Sequence, residues 1–496
     1  MYCQQLAAAP IVVKQNHNFL PVKPVFSKSK TFQFATSPSL TCFSRLMKSS
    51  NLVFCPHATK CSMPLLTNST TIDLKLTIQR ISTVIPWKET ENRIMFLSDL
   101  EQYLNINFGT ISFFSANSNF PPETVVDKLE TAYRKALVYY DYLAGRLRFN
   151  SEEGRLEIDC NSAGAGFVVI SSELSMAELG DLVNSSPSFQ QLETMRPEKC
   201  LFVMQVIMFK CGGFAITTCV NHVMLDGWSL KMFLNNLASL LANDEIVSTP
   251  YNDRHLLSAQ PPTHLTFPHL HGINLDLAPN AFQVKSLKPE SKVYRLRPDD
   301  IMKLKEKAVE NSKRDSAGAG VSTFKVVTAH IWRCKGLARN AENDPDKKST
   351  IHFPVHMRPR LQNPPLPPTY TGNVTIDAPW TTTRGELEQG PFSYLVEMVS
   401  NAVSKITEKH IRSIIESGEW LSGFPHGDVI VSSWMTLGFS DVEFPWGKPK
   451  CTCPLLVSDW NDIIIMLPTE NGDGINIVVT LPPDEMAKFQ TLFHKL

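Results

Sequence analysis

Among the 13 histidines of this 496-residue chain, one stands where a base is useful. Asn221-His222-Val223-Met224-Leu225-Asp226-Gly227-Trp228-Ser229 follows a β-rich run, Phe214 to Val220, and precedes an apolar-periodic segment, Leu230 to Leu241. A strand that delivers a histidine, followed at once by Asp-Gly and a helix start, puts an imidazole at an element end, within reach of a ligand. A neutral imidazole takes a proton near pH 7, as an acyl transfer needs from an incoming hydroxyl or amine, so His222 is a candidate general base. Asp226 either holds that loop through an ion pair or caps the helix beginning near Trp228. A satisfied core histidine is the alternative reading.

The other metal-type or nucleophile-type residues are less promising. Cys451-Thr-Cys453 has no second pair at zinc-site spacing, and His352 and His356 are separated by Pro354 and cannot form a helical pair, so no metal is expected. His264, His269 and His271 fall in a proline-rich linker. The 11 cysteines are scattered without the dense spacing of a secreted disulfide scaffold, which reads as reduced thiols. Lys+Arg and Asp+Glu both number 48, so no global field draws nucleic acid or an anionic membrane. No apolar run approaches the ~20 residues of a membrane span.

Length sets the organisation. A single core stops growing near ~250–300 residues, so two domains are expected here. Residues 1–62 carry no Asp or Glu but seven Lys/Arg and many Ser, the composition of an organelle transit peptide. An upstream extension with Met63 as the start is the other reading. Residues 63–243 form the expected N-terminal domain carrying His222, 244–290 a crossover linker with Pro250, Pro261, Pro262, Pro268 and Pro279, and 291–496 the C-terminal domain. Alternation from Thr71 to Ile78 predicts a strand, Met95 to Leu100 a short apolar turn, and Thr110 to Phe114 a strand. Pro122 opens a helix with Val125, Leu129, Tyr133, Leu137 and Tyr140 on one face. Two hairpins are predicted, 144–148 with 155–159, and 200–210 with 213–220 around Cys211-Gly-Gly213. Further along, helices are expected at 298–310, from an N-cap at Ser322 or Thr323, over much of 385–415, and at 484–495. Strands are expected at 349–355, 429–434, 463–467 and 474–480.

His222-Val-Met-Leu-Asp226-Gly227 resembles the HxxxDG signature of the plant BAHD acyl-CoA-dependent acyltransferases. Ala144-Gly-Arg-Leu-Arg148, the 322–333 stretch from Ser322 to Arg333, Tyr370-Thr-Gly-Asn373 and Trp446-Gly-Lys-Pro449 follow in that family's order, from about residue 70 to the end. The resemblance implies an α/β fold of two mixed-sheet domains, chloramphenicol acetyltransferase-like, with a central channel. It implies acyl transfer from acyl-CoA, as a co-substrate and not a permanently bound cofactor, to an alcohol or amine, in a monomer. His222 would deprotonate the acceptor, and Asp226 would be a structural support turned to an arginine. Ser432 and Trp434 would face the acyl carbonyl, and Ser322, Thr323 and Lys325, with Lys313 as another phosphate partner, would meet the coenzyme.

The family's Asp-Phe-Gly-Trp-Gly stands here as Glu443-Phe444-Pro445-Trp446-Gly447, a structural motif that departs at two positions. Arg358, in His356-Met357-Arg358, is the expected ion-pair partner of Glu443. An accessory protein that keeps the fold but acts by binding a partner in lipid or wax metabolism is the alternative function. Tyr370 to Val374 lacks the cysteine of many flavonoid acyltransferases, which argues against an anthocyanin acceptor. Hydroxycinnamoyl or fatty acyl donors and fatty, phenolic or terpenoid alcohols stay open. The family implies a cytosolic protein, whereas residues 1–62, as a transit peptide, would send it to a plastid.

Overall fold

In chain order the strands are β1 (Leu76–Val84), β2 (Arg93–Phe96), β3 (Asn107–Phe114), β4 (Arg146–Asn150), β5 (Arg155–Cys160), β6 (Ala165–Ser172), β7 (Phe202–Phe209) and β8 (Phe214–Asn221) in the first half. The second half adds β9 (Glu290–Leu296), β10 (Lys348–His356), β11 (Thr375–Thr383), β12 (Val429–Ser433), β13 (Cys451–Leu455), β14 (Ile463–Pro468) and β15 (Ile475–Leu481). The helices are α1 (Asp99–Gln102), α2 (Pro122–Tyr139), α3 (Gly227–Asn243), α4 (Pro298–Val309), α5 (Thr323–Ala338), α6 (Arg384–Gln389), α7 (Phe392–Lys405), α8 (Glu408–Ser417) and α9 (Pro483–Phe493). This computed structural model describes residues 72–496 other than 103, 185–187, 190, 193–194, 196, 198, 259–288, 311–319, 340–343, 418–427 and 456–461. The transit-peptide reading of residues 1–62, the histidines of the linker and Lys313 lie outside them.

Two six-stranded mixed sheets dominate. The first runs β1-β6-β7-β8-β3-β13 and the second β11-β10-β12-β14-β15-β9; β2, β5 and β4 make a small third sheet. Every residue of β8 is buried because both of its faces are covered. Phe214, Ile216 and Val220 point to the core under α2 and α3. Ala215 and Cys219 point to the core that the first sheet shares with Ile430, Ile463, Ile465 and Val478 of the second. The far face of the second sheet, with Ile351, Phe353, Val429 and Ile464, is covered by α4, α5, α7 and α9. Leu66–Leu496 is a compact unit.

Both predicted hairpins form, as β4–β5 and β7–β8, the latter turning at Gly212 with φ +78°. Several elements differ from expectation. The Met95 turn is instead part of β2, which pairs with β5. The first strand begins at Leu76, beyond most of the alternating run. The 385–415 region is three helices, because Pro391 and Ile406 sit in extended backbone between them. Cys451-Thr-Cys453 opens β13, buried throughout and paired with β3, so the second half of the chain contributes the last strand of the first sheet. Its Cys-Thr-Cys-Pro composition hides it, since proline is a poor strand residue except at an edge. Here it is an edge strand of that sheet.

Candidate active site

His222 follows the last residue of β8. Asn221 turns the chain there: its Oδ1 accepts from Val223 N at 3.2 Å, its carbonyl accepts from Met224 N, and its amide donates to Asn105 Oδ1 at 2.8 Å. The His222 N–H donates to the Ile106 carbonyl at 2.7 Å, and the Phe108 ring lies 4.5 Å from the imidazole. The imidazole is thus walled on one side and partly open on the other. Burial lowers its pKa below the ordinary 6.5, against smaller upward pulls from its own carbonyl, Asp226 and Asn373. At neutral pH it is an unprotonated base.

Asp226 is engaged on both oxygens. It is the N-cap of α3, accepting from Ser229 N at 2.8 Å, and it pairs with Arg358 at 2.7 Å, with side chains 2% and 9% exposed. Val374 N donates at 3.0 Å to Oδ2, the oxygen that also meets Arg358, while Ser229 N takes Oδ1. Burial alone would raise this carboxyl, but the guanidinium and the two N–H donors overcome it and hold it at about 2. The expected pairing of Asp226 with an arginine forms, whereas the expected Arg358–Glu443 pair does not. Arg358 spends its donors on Asp226, Ser229 Oγ and the Gly372 carbonyl, and Glu443 lies exposed at the surface. A buried guanidinium requires a buried anion, which Asp226 supplies and an exposed glutamate does not.

The segment Tyr370 to Val374 fastens the histidine loop from the other half of the chain. Asn373 Nδ2 donates to the His222 carbonyl at 2.7 Å. Its backbone N–H donates to Glu101 Oε1 at 3.1 Å, and Glu101 forms a fully buried ion pair with Arg254 at 3.0 Å. Ser98 N and Oγ satisfy the other Glu101 oxygen. Arg254 also donates to the carbonyls of Met224 and Thr371. A Cβ on Gly372 would come within 2.6 Å of the buried Tyr370 ring, so this turn needs glycine. Sequence reasoning missed Glu101, Arg254 and Asn373 as members of the site. The one available signal was Asn373, which closes a family motif; a lone Glu and a lone Arg in a proline-rich stretch carry none.

His222 opens into a cavity of about 340 Å³ between the sheets. One wall is Leu104, Ile106 and Phe108; alternate residues of four strands form the opposite wall, Pro354 and His356 from β10, Thr375 and Asp377 from β11, Ile430 and Ser432 from β12, and Ile463 and Ile465 from β14. Ser433, Trp434, Thr436 and Leu437 close one end, so Ser432 and Trp434 do meet His222 in one cavity, and Thr436 joins them unforeseen. The Trp434 ring stands edge-on to Phe439, and its N–H backbone group donates to Met466 O. His356 stacks on Trp228 at the rim, 5.3 Å between centroids.

Ser322, Thr323 and Lys325 are not among the cavity-lining residues. Ser322 occupies the N-cap of α5 without a side-chain cap bond, and Lys325 Nζ donates to Ser400 Oγ at 2.7 Å. Glu443 to Gly447 packs apart from the cavity. Phe444 and Trp446 stack at 5.3 Å with 5° between planes, edge-on to Phe114. Gly447 N donates to Phe444 O at 2.8 Å, which makes Pro445 the second residue of a β-turn, where its fixed φ is favoured and its missing N–H unused. Both departures from the family pattern are thereby accommodated. Gly447 itself has φ +111°, a conformation reserved for glycine.

Comparison with known proteins agrees with this architecture. The model of the Transferase family matches residues 74–496. The acyltransferase GLAUCE of Arabidopsis thaliana is 44% identical, over 85% of this chain and 96% of its own. The omega-hydroxypalmitate O-feruloyl transferase of Arabidopsis thaliana is 29% identical, over 86% of this chain and 94% of its own. The crystal structure of vinorine synthase superposes with a TM-score of 0.65 at 22% identity, covering 83% of this chain and 96% of that one, which establishes the common fold. With its HxxxDG loop, its two mixed sheets and these relatives, the chain belongs to the BAHD transferase family and is an acyltransferase.

Proposed function

We propose that this acyltransferase moves an acyl group from acyl-coenzyme A to the hydroxyl of a small, largely apolar alcohol, with His222 as the general base. The observation that carries the reading is the unprotonated imidazole of His222 opening into the cavity while Asp226 is engaged by Arg358. The acceptor O–H gives its proton to the imidazole as its oxygen bonds to the thioester carbonyl carbon. The tetrahedral oxyanion that forms needs donors, and Ser432, Ser433 and Thr436 hydroxyls at the end of the cavity are the candidates. Collapse breaks the C–S bond, and the imidazolium returns the proton to the leaving thiolate. Orientation of the two substrates within the cavity contributes alongside the base.

The apolar walls favour a hydrocarbon or aromatic acceptor over a sugar. The relative named for omega-hydroxypalmitate and feruloyl transfer supports a long-chain or phenylpropanoid ester as product. The test is thiol release from a panel of acyl-CoAs with purified protein and added alcohols. Ester formation lost in His222→Ala, at unchanged melting temperature, is the expected result; a fully active His222→Ala would overturn the role of the histidine.

A further inference from the structure

Among the described residues, Asp226 and Asp377 are the two carboxylates lining the cavity, and they differ in how they are satisfied. Asp226 is consumed by Arg358 and two backbone N–H groups. Asp377 lies on β11, opposite Pro354 in the register with β10, and its side chain is 17% exposed. It is held by a hydrogen bond between His352 Nδ1 and its Oδ2, with the imidazole 1% exposed. Among the described residues no arginine or lysine forms an ion pair with it. A carboxylate offers about four acceptor directions, of which this bond takes one. Thr375 flanks it on the same strand face.

Resting on the acyl-transfer reading, we propose that Asp377, oriented by His352, is an acceptor-specificity residue. It binds a second hydrogen-bond donor on the acceptor, so that diols, or alcohols bearing an amine, are preferred over mono-alcohols and over hydroxy acids. A carboxylate in a cavity with mostly apolar walls gains from a hydroxyl or ammonium that replaces water, and it repels a second carboxylate. The bifunctional acceptor then spans from Asp377 to His222, and the hydroxyl at the histidine is the one acylated. His352 is a positioning residue, since it reaches the ligand through Asp377.

The experiment compares kcat/KM for a homologous series of linear α,ω-diols with the matching n-alkanols and ω-hydroxy acids, in wild type, Asp377→Leu, Asp377→Asn and His352→Gln, at one saturating acyl-CoA. Wild type is expected to prefer the best diol to its alkanol by about tenfold to a hundredfold, the range of a charge-assisted hydrogen bond. Asp377→Leu is expected to abolish that preference through the acceptor KM while alkanol transfer persists. Asp377→Asn, which keeps shape and one acceptor oxygen, and His352→Gln should retain a reduced preference. Equal loss for diol and alkanol, or an unchanged preference in Asp377→Leu, would overturn the assignment, as would a change confined to the acyl-CoA KM when acyl-CoA is varied at a fixed diol concentration. If Asp377→Leu does not fold, Asp377→Asn alone decides: an undiminished preference overturns the proposal and a diminished one supports it. Absence of transfer to any acceptor by wild type would instead overturn the acyl-transfer reading, and this proposal with it.

Discussion

Asp226 and Glu443 each head a motif that contains a glycine and a tryptophan, yet Asp226 is 1% exposed while Glu443 stands open to solvent. Around Asp226 the charge does the holding. One carboxylate gathers an arginine from beyond β10, the N-terminus of α3 and the N–H of Val374, and so ties the histidine loop to a segment more than a hundred residues away. The tryptophan of that motif, Trp228, is 41% exposed and stacks on His356. Around Glu443 the roles are exchanged. Phe444 and Trp446 are both 6% exposed and fill the core under Phe114 and Phe214, and the carboxylate makes no contribution to the packing. A change of acid is therefore tolerable in the second motif and not in the first.

Substitutions can break this contrast at graded strength. His222→Ala should lower kcat by about 10²–10⁴ with stability unchanged, the usual worth of a general base, in a thiol-release assay. Asp226→Ala should cost about 3–5 kcal/mol in urea denaturation, because it strands the buried Arg358, and the folded remainder should also lose activity as the histidine loop loosens. Trp446→Ala should cost a comparable 3–5 kcal/mol by leaving a cavity, but the folded enzyme should keep kcat within about twofold. Activity equal to that of Asp226→Ala would erase the distinction between the motifs.

A pH profile sharpens the first half of the comparison. Burial holds His222 below its ordinary pKa, so the base form survives as pH falls past 6.5, and the acid limb of kcat/KM should have its midpoint below that value. The Asp226 charge pulls this pKa upward, so Asp226→Asn should move the midpoint further down; a shift to higher pH would contradict the assigned electrostatics. The Asp226 carboxyl, depressed to about 2, contributes stability in full above its unfolded value near 3.8, and that contribution fades as pH drops toward 2. The smallest effect belongs to Glu443→Gln, expected within about 0.5 kcal/mol of wild type by thermal melting.

Legibility followed the range of the interaction. The path from β8 through His222 to α3 was readable because strand alternation, the Asp N-cap and the helical period all act within a few residues. The hairpins were readable through their turns for the same reason. β6 and β11 went unassigned, and β13 was concealed by a Cys-Thr-Cys-Pro run that becomes a strand only beside β3. Arg358 was recognised as an ion-pair residue but given the wrong carboxylate, since sequence neighbourhood does not say which of two acids is buried.

By itself, then, the order of residues determined the family, the candidate base and the elements that present it, because those depend on local periodicity and on short motifs in a fixed order along the chain. The tertiary structure alone decided the partners. Asp226 meets Arg358 across 132 positions, and Asn373 meets Glu101 across 272. Which charges share a low-dielectric interior, and which face water, is set by how the two sheets close on each other, and no local pattern encodes that closure.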